Sequence, residues 1–153
     1  MKLSSALNIN LDNIRIREFT MAGQKLRVRV PLASEMEAIT KAVDEVDWSK
    51  KYEEMSASFI KDRAEIEGDE IKFLDDDIVV DGKSIKEISI LTAKTEERIT
   101  QMIRLLVPTN EADSMDTITY ADIDEAFPFA VQMEVMKKII EVISPGYEET
   151  RKN

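Results

Sequence analysis

The run Leu74-Asp75-Asp76-Asp77-Ile78 sets three carboxylates in succession and is the obvious place to look for a cation. A hard cation takes about six to eight converging oxygens. The calcium-loop template supplies them from alternating acidic positions, with a central glycine and a distal glutamate. Consecutive side chains on an extended chain point apart, so this run reads as a solvated turn. Paired carboxylates can also serve as acid and base in glycosidic cleavage. With 31 acidic residues such pairs arise by chance, and none is singled out by an apolar surround. The chain has no histidine and no cysteine, which excludes Ser-His-Asp and Cys-His nucleophile systems, cysteine-ligated zinc and disulfides. It has four glycines and no glycine-rich phosphate loop, and its one tryptophan and three tyrosines are not interleaved with basic residues as a nucleic-acid stacking platform would be. No residue is therefore assigned a catalytic, cofactor-binding or metal-binding role.

A second constellation is cationic. The stretch IRIREFTMAGQKLRVRV, Ile14 to Val30, carries five lysines or arginines and one glutamate in a chain of formal net charge -10. Residues 1–33 hold 6 basic and 2 acidic side chains, residues 34–81 a net charge of -10, and residues 82–153 a net charge of -4. One reading is a solvated outer face, since edge strands carry charge that deters pairing. The other is a binding surface. Like charges on adjacent strands repel, so clustered Arg15, Arg17, Arg27 and Arg29 favour a carboxylate-bearing partner, and the planar guanidinium pairs bidentately with carboxylates. That partner is either the acidic 34–81 segment of the same chain or that segment on a second copy. The latter contact is head to tail and makes a homo-oligomer, a ring or a filament. An acidic middle repels nucleic acid and anionic membrane surfaces, and neither is expected as a partner.

The elements that position these residues follow from periodicity. Alternation of Ile14 and Ile16 with Arg15 and Arg17, and of Leu26, Val28 and Val30 with Lys25, Arg27 and Arg29, predicts a β-hairpin over about 14–30 with a turn at Ala22-Gly23. Phe19 and Met21 share parity with the arginines, and a one-residue bulge near Glu18 would restore the register. Ser34 with Glu37 has capping-box spacing, and Met36, Ile39, Val43 and Val46 then mark a helix face. A second helix is expected from about Trp48 to Ile66, with Tyr52, Met55, Phe59 and Ile66 inward and Gly68 as its stop. The segment 71–85 reads as a second short hairpin or loop-strand, with Ile78 to Val80 extended and Asp81-Gly82 turning. Ser84 with Glu87 opens a helix expected to run to Val107, with a break near Thr92. Thr119 caps a short helix ending near Phe127, and Pro128 suits the first position of the next.

That last helix, Phe129 to Ile143, is apolar at 10 of its 15 positions, which suits a helix central to the core or shared with a partner. Met133 and Met136 on it are candidate protein-binding residues, because methionine adapts to imperfect surfaces. The whole is expected to be α+β and mainly helical: an N-terminal β-hairpin and the second short hairpin packed on about four to five helices. One domain spans 1–147, with a helical body over about 34–143 and a polar tail over 148–153. No apolar run approaches the ~20 residues that span a bilayer. The opening MKLSSALNINLDN reads as mature sequence rather than a signal peptide.

The segments LRVRVPLASEMEAI and ITYADIDEAFPFAVQMEVMKKIIEVISPGYEE resemble the tail assembly chaperones of bacteriophages with long, non-contractile tails. The likeness covers the two ends of the chain and little of its acidic middle. It implies a small non-enzymatic protein of the host cytoplasm that binds the phage tape-measure protein, helps recruit tail-tube subunits and is absent from the mature virion. It also implies a longer product made by ribosomal frameshifting, for which Lys152-Asn153 could be encoded by a slippery codon pair. It carries over no catalytic residue and no cofactor. Two other readings fit the composition: a structural minor tail component retained in the virion, and an acidic mimic of DNA that blocks a DNA-binding protein.

Overall fold

The computed structural model describes residues 2–63, 68 and 70–146. In chain order its elements are helices α1 (Leu3–Ala6) and α2 (Leu11–Arg15), strands β1 (Ile16–Met21) and β2 (Gln24–Arg29), and helices α3 (Ala33–Asp44) and α4 (Ser49–Lys61). Strands β3 (Ile71–Phe73), β4 (Ile78–Val80) and β5 (Lys83–Ser84) follow, then helix α5 (Ile85–Ile103), strand β6 (Leu106–Val107), and helices α6 (Tyr120–Ala126) and α7 (Phe129–Ile143). The fold is α+β and mainly helical, with an N-terminal β-hairpin. Where the sequence points to one domain over 1–147, contacts cluster the chain into two compact units, Met1–Thr40 with Arg98–Asn153, and Lys41–Glu97. Among the described residues no helix is long and apolar enough to cross a membrane.

In the first unit β1, β2 and β6 form an antiparallel sheet in that order. The β1–β2 register is continuous from Ile16↔Arg29 to Met21↔Gln24, so the expected bulge is absent. Side chains paired across the two strands share a face. Arg17, Phe19 and Met21 therefore lie with Leu26 and Val28 on the inner face, and Ile16, Glu18 and Thr20 lie with Lys25, Arg27 and Arg29 on the outer one. The parity mismatch in the sequence is real, and Arg17 belongs to the inner set. The strand also starts later than expected, because Ile14 and Arg15 close helix α2. Ala22 and Gly23 both have positive φ, 51° and 76°, as the primed two-residue turn that matches strand twist requires.

Helix α7 covers the inner face of this sheet's unit. Val135, Met136, Ile139 and Val142 are buried on it and join Phe19, Val28, Ile99 and Met102 in one core. Ile99 and Ile139 are fully enclosed. The end of α5 supplies the opposing wall, but the helix stops at Ile103 rather than Val107, because Leu106 and Val107 leave it to pair with β2. It has no break at Thr92. At α3 the cap lies two positions before the expected Ser34–Glu37 pair: the Glu35 carboxylate accepts from the Leu32 N–H at 3.3 Å. Pro128 sits just before α7, not within it.

In the second unit β3, β4 and β5 make a small antiparallel sheet, a strand more than a hairpin. Asp77 organises it. Its carboxylate accepts from the N–H groups of Ile78 (2.7 Å) and Lys86 (2.9 Å) and from the Ser84 hydroxyl, while Ser84 Oγ accepts from the Glu87 N–H at 3.0 Å. The start of α5 is thus capped twice, as its unpaired N–H groups require. Burial raises the Asp77 pKa, but these hydrogen bonds and the Lys86 charge outweigh it, and the carboxyl ends below the usual range. On α4, Tyr52, Met55 and Phe59 are half-buried, while Ile66 lies outside the described residues.

Candidate functional site

The four arginines of the hairpin do not form one patch. Arg15, at the end of α2, and Arg29, on the outer face of β2, converge on Glu35 of α3: Arg15 Nη2 lies 2.7 Å from Oε1 and Arg29 Nη1 2.5 Å from Oε2. The Glu35 pKa is raised by burial, but the Arg29 hydrogen bond, the Leu32 N–H and the charges of Arg29 and Arg15 pull it below its ordinary value. For this pair the carboxylate partner lies in the same chain, within the acidic segment beginning at residue 34. Arg17 meets no carboxylate among the described residues. On the inner face its Nη1 donates to the carbonyls of Val142 (2.5 Å) and Ser144 (3.1 Å) at the end of α7. Cations suit a helix C-terminus because its last carbonyls are unpaired and carry negative partial charge. Arg27 alone is exposed, and its guanidinium has no hydrogen-bond or ion-pair partner among the described residues.

Arg27 lies in an open groove of about 980 Å³ over the outer face of the sheet. Ile14, Ile16, Val107 and Pro108 give the groove apolar surface, and Glu18, Glu111 and Asp113 add carboxylates. The two methionines separate as well. Met136 is 6% exposed inside the core, whereas Met133 is half-buried and packs against that core. Met136 offers a partner no surface in this arrangement.

Two features escaped the periodicity reading. The first is an N-terminal arm. Leu3, Leu7, Ile9, Leu11 and Ile14 are all exposed, between 39% and 66%, and α1 buries no residue at all. The spacing Leu3, Leu7, Leu11 is a signal that could have been seen, because residues four apart share a helix face. In the structure Asn8, at φ 54°, interrupts that helix. The second feature is a knuckle between α6 and α7. All five residues of Ala126-Phe127-Pro128-Phe129-Ala130 are exposed, Phe127 at 37% and Phe129 at 56%.

The knuckle is held from beneath. Gln132 is fully buried and uses its whole amide: Nε2 donates to the Phe127 carbonyl (2.9 Å) and to Asp124 (3.2 Å), and Oε1 accepts from the Tyr120 hydroxyl (2.8 Å). Thr119 and Asp122 close a capping box at the start of α6. The arrangement presents two aromatic rings on fixed backbone, a geometry suited to gripping another polypeptide. Among the described residues no group of three or more acidic side chains is placed to hold a metal ion. Comparison with protein-family models, curated proteins and solved structures finds no match.

Proposed function

We propose that this chain is a non-enzymatic tail assembly chaperone of a bacteriophage with a long, non-contractile tail. In this reading it binds the tape-measure protein in the host cytoplasm, keeps that long helical client soluble, helps recruit tail-tube subunits, associates with copies of itself and leaves before the virion is complete. The resemblance of the two chain ends motivates the assignment. One observation supports it most: five aliphatic side chains stand exposed on the arm of an otherwise acidic chain. Fully burying an exposed leucine or isoleucine side chain is worth about 1.5–3 kcal/mol, and these five are already about half covered, so covering the rest would contribute roughly 4–8 kcal/mol before the entropy of association is subtracted. Net charge keeps such a surface in solution until a client covers it.

The experiment is co-expression with the tape-measure protein. The chaperone reading predicts that the client moves from the pellet to the soluble fraction and co-purifies. An unchanged pellet would overturn the reading. Mass spectrometry of purified particles separates it from a structural tail role, which predicts a stoichiometric band.

A further inference from the structure

We propose that the Phe127-Pro128-Phe129 knuckle is a docking site for an arginine-bearing segment of another protein. This goes beyond the client reading, which rests on the arm, and it depends on different residues. The knuckle exposes Phe127 at 37% and Phe129 at 56%, with Ala126 and Ala130 exposed on either side. Aromatic side chains are common anchors of protein contacts. The Gln132 amide holds the backbone beneath them before any contact is made, so little ordering entropy is lost on binding.

Charge names the occupant. Residues 105–136 carry seven carboxylates and no lysine or arginine. None of the seven forms an ion pair among the described residues. Asp124 and Glu125 precede the first phenylalanine on α6, and Glu134 follows the second by more than one turn of α7. All three are exposed, and Lys137 and Lys138 beyond Glu134 bound the patch. A guanidinium satisfies both features at once, because its flat face stacks on a phenyl ring while its edge pairs with a carboxylate. The hairpin does not supply that cation from a second copy. Arg15 and Arg29 are held by Glu35, and Arg17 by the end of α7. Arg27 lies among Glu18, Glu111 and Asp113, which would repel Asp124 and Glu125. The occupant is therefore a different polypeptide, with arginine set beside apolar side chains. Phosphate and anionic lipid are repelled by the same carboxylates.

Fluorescence anisotropy on the full chain tests this with a labelled synthetic peptide of arginine, leucine and alanine, and with a sister peptide carrying glutamate at every arginine position. Wild type binds the arginine peptide and not the glutamate one. Phe127→Ser with Phe129→Ser weakens binding at least about tenfold. Glu125→Lys with Glu134→Lys, which leaves both rings in place, weakens it by about the same factor. Asp44→Lys with Glu45→Lys, at exposed positions at the end of α3, changes the net charge equally and leaves binding close to wild type, as does Leu7→Glu with Leu11→Glu on the arm. Circular dichroism and the urea midpoint check the fold of every variant. A wild type indifferent to the arginine peptide, equal affinity for the two peptides, or unchanged binding after either knuckle change would each overturn the site. An equal loss from the Asp44→Lys with Glu45→Lys control, or any loss from the arm variant, would do the same. So would evidence of another occupant: a wild-type dimer that the phenylalanine variant abolishes, or binding to phosphatidylcholine vesicles lost in that variant. The two readings fail separately, since peptide binding does not involve the arm and client solubility is read without the peptide.

Discussion

Arg17 on the first strand donates two hydrogen bonds, of 2.5 and 3.1 Å, to the carbonyls of Val142 and Ser144, and so ties the hairpin to the end of the last helix. The bond spans most of the chain and explains why an arginine occupies the inner face of a sheet. Replacing Arg17 with alanine leaves two helix-end carbonyls without their cationic donor. A destabilisation of about 1.5–3 kcal/mol is expected, read from urea unfolding. Arg17→Lys recovers part of it, because a point charge cannot reproduce the guanidinium geometry. Arg27→Ala, with no partner to lose, stays within about 0.5 kcal/mol of wild type.

Ala22 sits at φ 51° in the first hairpin turn. A side chain with a Cβ is strained there, by roughly 1–2 kcal/mol for alanine. Nothing lies within 4 Å of the Cβ direction at the neighbouring Gly23, so the turn is open and conformation alone sets its cost. Ala22→Gly is expected to stabilise the fold by up to about 1 kcal/mol, seen as a rise in thermal midpoint. A fall in midpoint would mean the turn differs from the one described.

Asp77 carries the pH dependence of the second unit. Its pKa is depressed in the folded chain, below the roughly 3.9 of an unfolded aspartate. The stabilisation from its hydrogen bonds is therefore complete above about pH 4 and is lost as pH falls through the folded value. Asp77→Asn should cost about 1–3 kcal/mol near neutrality. Its stability should also depend less on pH than that of wild type below about pH 4. Parallel pH profiles for the two proteins would contradict the role given to this carboxylate.

Gln132 is buried and its amide holds the α6–α7 turn. Gln132→Leu has similar volume but leaves the Phe127 carbonyl without that donor, at about 1–3 kcal/mol. Phe129→Ser, at an exposed position, should by contrast leave the urea midpoint close to wild type.

Much of this architecture was legible from local pattern. Alternation of Leu26 and Val28 with Arg27 and Arg29 marks β2 because one face is buried and the other wet. The dense apolar run of α7 marks the element the core is built on. Thr119 and Ser84 mark helix starts through hydrogen bonds made within three residues. What failed was non-local. Arg17 was grouped with the outer arginines because the carbonyls that place it on the inner face lie 125 and 127 residues away. Leu106 and Val107 continued a helical pattern and left it only because β2 offered a strand to pair with. Met136 stood as a candidate binding residue beside Met133 because periodicity on an apolar helix does not say which face is covered. The exposure of Phe127 and Phe129 was hidden for a similar reason: a helix end and an apolar helix start do not say which side chains the fold leaves outside.

The most direct test of the account remains the fate of the client. The tape-measure protein that the proposal names as client is expressed alone, with the wild-type chain, and with the Leu7→Glu/Leu11→Glu variant. The account predicts insoluble client alone, soluble and co-purifying client with wild type, and a marked loss of soluble client with the variant. Client whose solubility is the same in all three cultures would contradict the claim that this protein works by covering another polypeptide's apolar surface with its own.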